Sequence, residues 1–412
     1  MIQREYYYES EIKSGQIGGA FFYGKKWNNG ARTHSRLAGS QLGSEFNNYS
    51  KTRIINDSSD FSINSNKTQN HTGEYSLKID HLFPARKNHT LNLGAALIQN
   101  TTRFQQDSIQ LPFEFSQQEL RRIDLYAKER IRITRHLSLL PGLKLALPLA
   151  AGLKPGFQPR IRLTFTPNQH LSFDVAAGIY KQYVAENAII DQFDNYLYFW
   201  SVANGNAISE LSSQHFVGGI RYHHSGFEFK SDIWYKTISE MSRFVSPPQS
   251  SQVGLSKGKG QTYGIDFFLK KQFKKHEIWL AYTLNKVEEK FDYFDDNEWK
   301  RAPHDQRHEV KCAGIFNFYP YFLSFNYVHG SGFPNTIRTS SSLDMPVYNR
   351  LDVAVSYRHQ FPKAKFSTGL SISNLFNQPN FKYNNFSNFP DNRSIHSPGI
   401  PFSPTAFVGL QF

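Results

Sequence analysis

A side-chain pattern with a period of two residues constrains this chain more than any other feature. From Leu171 to Ile179 the apolar positions are Leu171, Phe173, Val175, Ala177 and Ile179, with Ser172, Asp174, Ala176 and Gly178 between them. Phe227, Phe229, Ile233 and Tyr235 alternate with Glu228, Lys230, Asp232 and Trp234. Leu351, Val353, Val355 and Tyr357 alternate with Asp352, Ala354 and Ser356, and Ile161, Leu163 and Phe165 with Arg160, Arg162 and Thr164. Successive side chains of a strand point to opposite faces, so each segment presents one apolar face and one charged face. Burying such charges without partners is costly. Arg160, Arg162, Asp174, Lys230 and Asp232 are therefore expected to face water or a polar filling. The expected class is all-β.

Alternation of this kind fits a soluble sandwich with one wet face as well as an antiparallel transmembrane barrel between lipid and water. Connection lengths separate the two. Short connections fall at Gly24–Gly30, Pro84–Asn88, Arg135–His136, Pro167–Gln169, His223–Gly226, Lys271–Lys274, Phe318–Pro320 and Gln360–Ala364. Long ones fall at Phe46–Asn70, Asn100–Glu119, Leu147–Gly156, Val184–Gln214, Glu240–Gly260, Glu288–Gln306, Gly330–Val347 and Phe376–Pro404. Short and long alternate, except near the first hairpin, as they do in barrels with tight turns at one end and long loops at the other. The expectation is about 18 strands, many near the roughly 9–11 residues that cross a bilayer. If both chain ends lie on the periplasmic side, the count is even and the last strand, Thr405–Phe412, follows a long loop. A complete barrel would pair Arg4–Ile12 with Thr405–Phe412, whereas a partial one would leave Arg4–Ile12 as an unpaired edge.

Composition removes the competing classes. Aromatic residues make up 15% of the chain while mean hydropathy is −0.53, and no apolar run is long enough for a transmembrane helix. A barrel wall gives this combination, because lumen-facing polar residues dilute the lipid-facing apolar ones. The single cysteine, Cys312, excludes an internal disulfide framework and a multi-cysteine zinc site. The net charge is +13, which in other chains points to nucleic acid. Here the cations sit in turn segments, such as Lys270, Lys271, Lys274 and Lys275, or Arg86 and Lys87, or Lys363 and Lys365, so no nucleic-acid partner is expected. The opening residues Met1–Arg4 run directly into Tyr6–Tyr8 with no apolar h-region, so a signal peptide is expected to be absent.

The motif Pro-His-Asp-Gln-Arg-His carries His304, Asp305, Arg307 and His308. On a strand the two histidines stand about 13 Å apart, too far for one metal ion. The motif reads as a charge network where a loop re-enters the wall. No GxSxG, HExxH or Walker A pattern occurs, so no catalytic residue, metal or cofactor is assigned and the chain is not read as an enzyme. Two loops suit ligand capture. One holds Tyr196, Tyr198, Phe199 and Trp200 ahead of Asn204-Gly205-Asn206, and the other holds Tyr293, Trp299 and Arg301 among acidic residues. Aromatic side chains with polar edges suit a small ligand; packing of loop on loop is the plainer reading of the first, and a solvated hairpin of the second.

Several segments together resemble the TonB-dependent outer-membrane receptors, in particular those of the Bacteroidota type. They are Gln158–Val184, the paired segment Thr262–Phe291, Ala302–Gly314, Val328–Thr336, Tyr348–Tyr357 and Ser371–Phe381, in that order. The chain ends in Thr-Ala-Phe-Val-Gly-Leu-Gln-Phe, and the resemblance assigns Leu410 and the terminal Phe412 to recognition by the barrel assembly machinery. It implies a location in the outer membrane among its lipids. It also implies uptake of a scarce nutrient, such as a ferric siderophore or other metal chelate, driven by the TonB complex through a plug domain. The family barrel has 22 strands. Residues 1–412 are accordingly expected to form one barrel domain, the C-terminal part of the wall, without the plug. The alternatives are a passive porin-like or adhesion barrel, a non-functional remnant, or a soluble all-β binding protein.

Overall fold

The computed structural model describes residues 4–54, 61–106, 117–190, 196–206, 208–245, 254–294, 296–334, 346–381, 386–388, 394–396 and 398–412. The first eight strands are β1 (Arg4–Lys26), β2 (Arg32–Ile54), β3 (Phe61–Leu82), β4 (His89–Gln106), β5 (Gln117–Arg132), β6 (Leu137–Pro148), β7 (Gly156–Asn168) and β8 (Leu171–Gln182). A short pair, β9 (Val184–Ile190) and β10 (Tyr196–Val202), precedes β11 (Leu211–His224), β12 (Phe227–Val245), β13 (Gly254–Phe273) and β14 (His276–Phe291). After β15 (Lys300–Arg301) come β16 (His308–Phe318), β17 (Tyr321–Gly330), β18 (Tyr348–Gln360) and β19 (Lys365–Ser373). A separate hairpin, β20 (Phe386–Asn388) with β21 (Ser394–His396), stands before β22 (Ser403–Gln411).

The expected all-β architecture is present. Among the described residues, strands β1 to β19 and β22 form one 20-stranded sheet, and leaving out β9, β10 and β15 gives a wall of seventeen strands, each antiparallel to the next. This agrees with the expectation of about 18 strands. With an odd number, Arg4 stands at the long-loop end and Gln411 at the short-turn end, so the idea of both chain ends on one side is corrected. Among the described residues no pairing joins β1 to β22, and each is hydrogen-bonded along one side only.

Register explains the alternation. Leu163, Val175, Gly218, Ile233, Ile265 and Leu284 lie in one lateral row across β7, β8 and β11 to β14. The next row, Thr164, Asp174, Gly219, Asp232, Asp266 and Thr283, points to the opposite face. On the apolar face Val175 is 60% and Ile233 62% exposed, values that suit lipid rather than water as the covering medium.

Two long connections expected from sequence, Phe46–Asn70 and Glu240–Gly260, are largely strand. Strand β2 continues to Ile54, β3 starts at Phe61, β12 continues to Val245 and β13 starts at Gly254. Ladder hydrogen bonds persist beyond the height where apolar alternation stops, because a strand above the membrane has water on both faces. At the other end the turns are tight. Ser225 and Gly226 adopt φ of 47° and 73°, the paired left-handed conformation of a two-residue hairpin turn.

Candidate functional site

Buried side chains concentrate at the long-loop end, around the segment between β8 and β11. The hairpin β9–β10 does not extend the wall in sequence order. Strand β9 runs parallel to the end of β12, pairing Ala188, Ile189 and Ile190 with Arg243, Phe244 and Val245. Strand β10 lies against the polar faces of β3 and β5. Its Trp200 N–H donates to Asn70 Oδ1 at 3.3 Å, and its Val202 N–H to Gln118 Oε1 at 2.9 Å. Phe199 closes a cluster with Phe104 of β4, Ile189, Ile208 and Phe244. Its ring centroid is 4.7 Å from Phe104 and 5.5 Å from Phe244. A second cluster, Leu120, Ala146, Tyr183, Val202 and Ala203, seats the base of the hairpin. The hairpin therefore bridges β4 to β12, which the ladder separates by five strands.

Next to Phe244, Arg243 makes a bidentate pair with Glu289, Nη1 to Oε1 at 2.7 Å and Nη2 to Oε2 at 2.8 Å. Both side chains are buried, at 9% and 5% exposure. The guanidinium stacks 4.0 Å from the Phe291 ring and donates to the Tyr293 hydroxyl at 3.0 Å. The loop after β14 is fastened by Asp305, whose side chain is fully buried. It accepts from Arg301 Nε at 2.7 Å, Arg307 Nη2 at 3.0 Å and the Val287 N–H at 2.8 Å. The His304–His308 motif is thus a charge network around Asp305, and among the described residues no cluster suited to a metal ion is found.

The two aromatic sets singled out in the sequence meet through β12, with Phe244 touching Phe199 and Arg243 donating to the Tyr293 hydroxyl. Tyr198 is exposed and Trp200 half-buried on the hairpin, while the side chain of Tyr196 lies outside the described residues. Tyr293 is half-buried under Arg243, and Trp299 is exposed with Lys259 Nζ 5.6 Å above its ring. Two assignments change. Phe199 has no exposed surface to offer a ligand and is an anchor of the hairpin. Arg301 is held by Asp305 rather than presented to solvent as a free cation.

On the polar face of the wall, Asp174 gathers Arg162 Nη2 at 2.7 Å, Thr164 Oγ1 at 2.7 Å and Arg221. Arg221 also reaches Asp232 at 3.7 Å, and Lys230 pairs with Glu228 at 2.7 Å. Arg160 stacks on Tyr180 at 4.4 Å. Arg162 and Arg221 are matched across strands and Lys230 within its own strand, which lowers the cost of crowding these charges together. Sequence reading missed Arg221, because its partners are 47 and 11 residues away and only register brings them together. Arg243 and Glu289 were missed for the same reason. At the chain end, Leu410 and Phe412 continue the apolar face of β22, and both are exposed.

Comparison with known proteins follows this geometry. No curated protein matches the chain by sequence. The fold is similar to the pyoverdine outer-membrane receptor of Pseudomonas aeruginosa, with a TM-score of 0.69 and 12% identity over 98% of this chain and 62% of that one. It is similar to the ferric-catecholate import receptor of Escherichia coli K12, with a TM-score of 0.63 and 10% identity over 92% of this chain and 64% of that one. It is also similar to an iron transporter of Neisseria meningitidis, with a TM-score of 0.60 and 10% identity over 98% of this chain and 72% of that one. The chain spans less than two thirds of the length of the first two. A family model of the TonB-dependent receptor-like β-barrel matches residues 3–375. Proteins of that kind are outer-membrane receptors and transporters rather than enzymes. A seventeen-strand wall, its two-faced register and this match together place the chain in the outer membrane, as a member of the TonB-dependent receptor-like β-barrel family.

Proposed function

We propose that the chain forms the wall of a receptor that takes up a scarce nutrient, with a ferric siderophore or another metal chelate as the ligand class, using energy from the TonB complex. The observation that carries this reading is the family match over residues 3–375. The ligand class is supported by the pyoverdine, ferric-catecholate and iron cargoes of the structurally similar receptors. In this reading the long-loop end captures the ligand. Tyr198, Trp200, Tyr293 and Trp299 supply aromatic edges, with Tyr196 as a further candidate contact from the same strand as Tyr198 and Trp200, and Phe199 holds the hairpin. The polar face, with Arg160, Arg162, Asp174, Lys230 and Asp232, lines the lumen against water or a polar filling. Leu410 and Phe412 are the contact for barrel assembly.

The test is uptake of radioactive iron, supplied on a panel of ferric chelates, by iron-starved cells expressing the whole gene product as their one chelate receptor. At least one chelate should enter, and deletion of TonB should abolish its entry. Equal entry without TonB would favour a passive porin-like barrel. No entry of any chelate would favour an adhesion barrel or a remnant.

A further inference from the structure

The eight short turns of the wall are residues 27–31, 83–88, 133–136, 169–170, 225–226, 274–275, 319–320 and 361–364. They contain no aspartate and no glutamate, although the chain has 34 acidic residues. They do contain Arg86, Lys87, Arg135, Lys274, Lys275 and Lys363, all six exposed. None of the six has a carboxylate partner among the described residues, whereas Arg162, Arg221 and Lys230 on the polar face of the wall are each paired with a carboxylate. Turn geometry does not ask for these cations. Lys87 and Lys274 adopt φ of 48° and 55°, in the left-handed region where glycine carries no steric penalty. Glycine does occupy such positions in two sister turns, Gly30 and Gly226.

The cations are spread along the ladder rather than gathered in one patch. They lie in the β3–β4, β5–β6, β13–β14 and β18–β19 turns, and Lys25 extends the series to the first hairpin, 3.9 Å over the Trp27 ring. At the same level Trp27, Phe83, Phe273, Phe318, Tyr319 and Phe361 are exposed, as aromatic residues are at a membrane–water interface. A protein partner would meet one sector of such a rim. A lipid leaflet meets all of it at once.

We infer that the short-turn rim, through Arg86, Lys87, Arg135, Lys274, Lys275 and Lys363, is a docking surface for anionic phospholipid headgroups of the periplasmic leaflet. Cations at a membrane surface attract anionic lipid and are screened by salt. The girdle rings fix the height of the wall, and the turn cations then reach the phosphate layer. The inference rests on the outer-membrane location and not on the ligand, so a failed uptake experiment leaves it standing.

Trp27 makes a local reporter, because it lies on this rim and donates a 2.8 Å hydrogen bond to Thr33 Oγ1, which shares a face of β2 with the exposed Leu37. The purified full protein is reconstituted in phosphatidylethanolamine vesicles that contain either brominated phosphatidylglycerol or brominated phosphatidylcholine. The Trp27 signal is taken as the difference between wild type and Trp27→Phe. Quenching by the anionic lipid should exceed that by the zwitterionic one by roughly threefold or more, and the preference should fall in about 0.5 M salt. In the variant Arg86→Gln/Lys87→Gln/Lys274→Gln/Lys275→Gln it should drop to about one, with folding checked by heat-dependent gel mobility. If wild type is quenched equally by both lipids, the inference is overturned and an acidic periplasmic protein becomes the better occupant. A preference that survives in the folded variant overturns it as well.

Discussion

Arg243 and Glu289 are buried together at the junction of β12, β14 and the loop beyond, and their bidentate geometry satisfies both charges. Removing one partner leaves the other charged, dry and uncompensated, which costs about 3–5 kcal/mol. Glu289→Ala should therefore release the loop after β14, read as faster hydrogen exchange from residues 292 to 307. Arg243→Met combined with Glu289→Leu should recover most of that protection, since an apolar pair of similar volume replaces a buried ion pair at little cost. Exchange in Glu289→Ala as slow as in wild type would show that the loop is held by Asp305 alone. Tyr183 tests the opposite situation. Its ring belongs to the cluster at the hairpin base, but its hydroxyl is buried with no hydrogen-bond partner among the described residues. Tyr183→Phe should leave hairpin docking unchanged or strengthen it by about 1–2 kcal/mol. Burial pushes the Tyr183 hydroxyl up to about 12, with Glu210 and Asp124 adding to the effect. The docked fold thus favours the protonated form. Its contribution is complete below the ordinary tyrosine value of 10.0 and is lost as pH rises through about 12. Protease resistance of the hairpin should fall across that window in wild type and stay level in Tyr183→Phe.

The hairpin β9–β10 is the element on which the mouth depends, and Phe199 is its anchor. Truncating a fully buried phenylalanine costs about 3–5 kcal/mol. Phe199→Ala should undock the hairpin from Phe104 and Phe244 without unfolding the wall, because the wall strands are laddered independently of it. The expected result is fast exchange across β9 and β10, unchanged exchange in β11 to β14, and a larger conductance in planar bilayers. Loss of protection in β12 as well would mean that the parallel β9–β12 pairing supports the wall. Little of this element was legible in the sequence. Its aromatic run allowed both a ligand site and loop-on-loop packing, because a loop aromatic and a buried aromatic look alike until the surface they meet is known. The wall strands β7, β8 and β12 were legible, since lipid on one side and charge on the other leave a two-residue period. Strands β2 and β3 beyond the membrane were not, since water on both faces removes that period while the ladder continues.

At the scale of the whole molecule, the deciding feature is that β1 and β22 each pair on one side only among the described residues. The sequence left both an edge and a seam open, because pairing between the two ends depends on register and curvature, which no local pattern encodes. An unpaired edge strand donates half of its N–H groups to solvent, and the amides that open most easily are those with few ladder bonds around them. In lipid, hydrogen exchange along β1 should alternate. Amides that point toward β2 should be protected, and their neighbours should exchange faster by an order of magnitude or more. The strands β12 and β13 should show protection at successive residues, because each is paired on both sides. Uniform protection along β1 would mean that it has a second partner in the membrane. A matching gain along β22 would identify that partner as the other end of this same wall, and a passive closed barrel would then account for the molecule better than an open one. Protection of β1 without any change in β22 would instead require additional strands beside it.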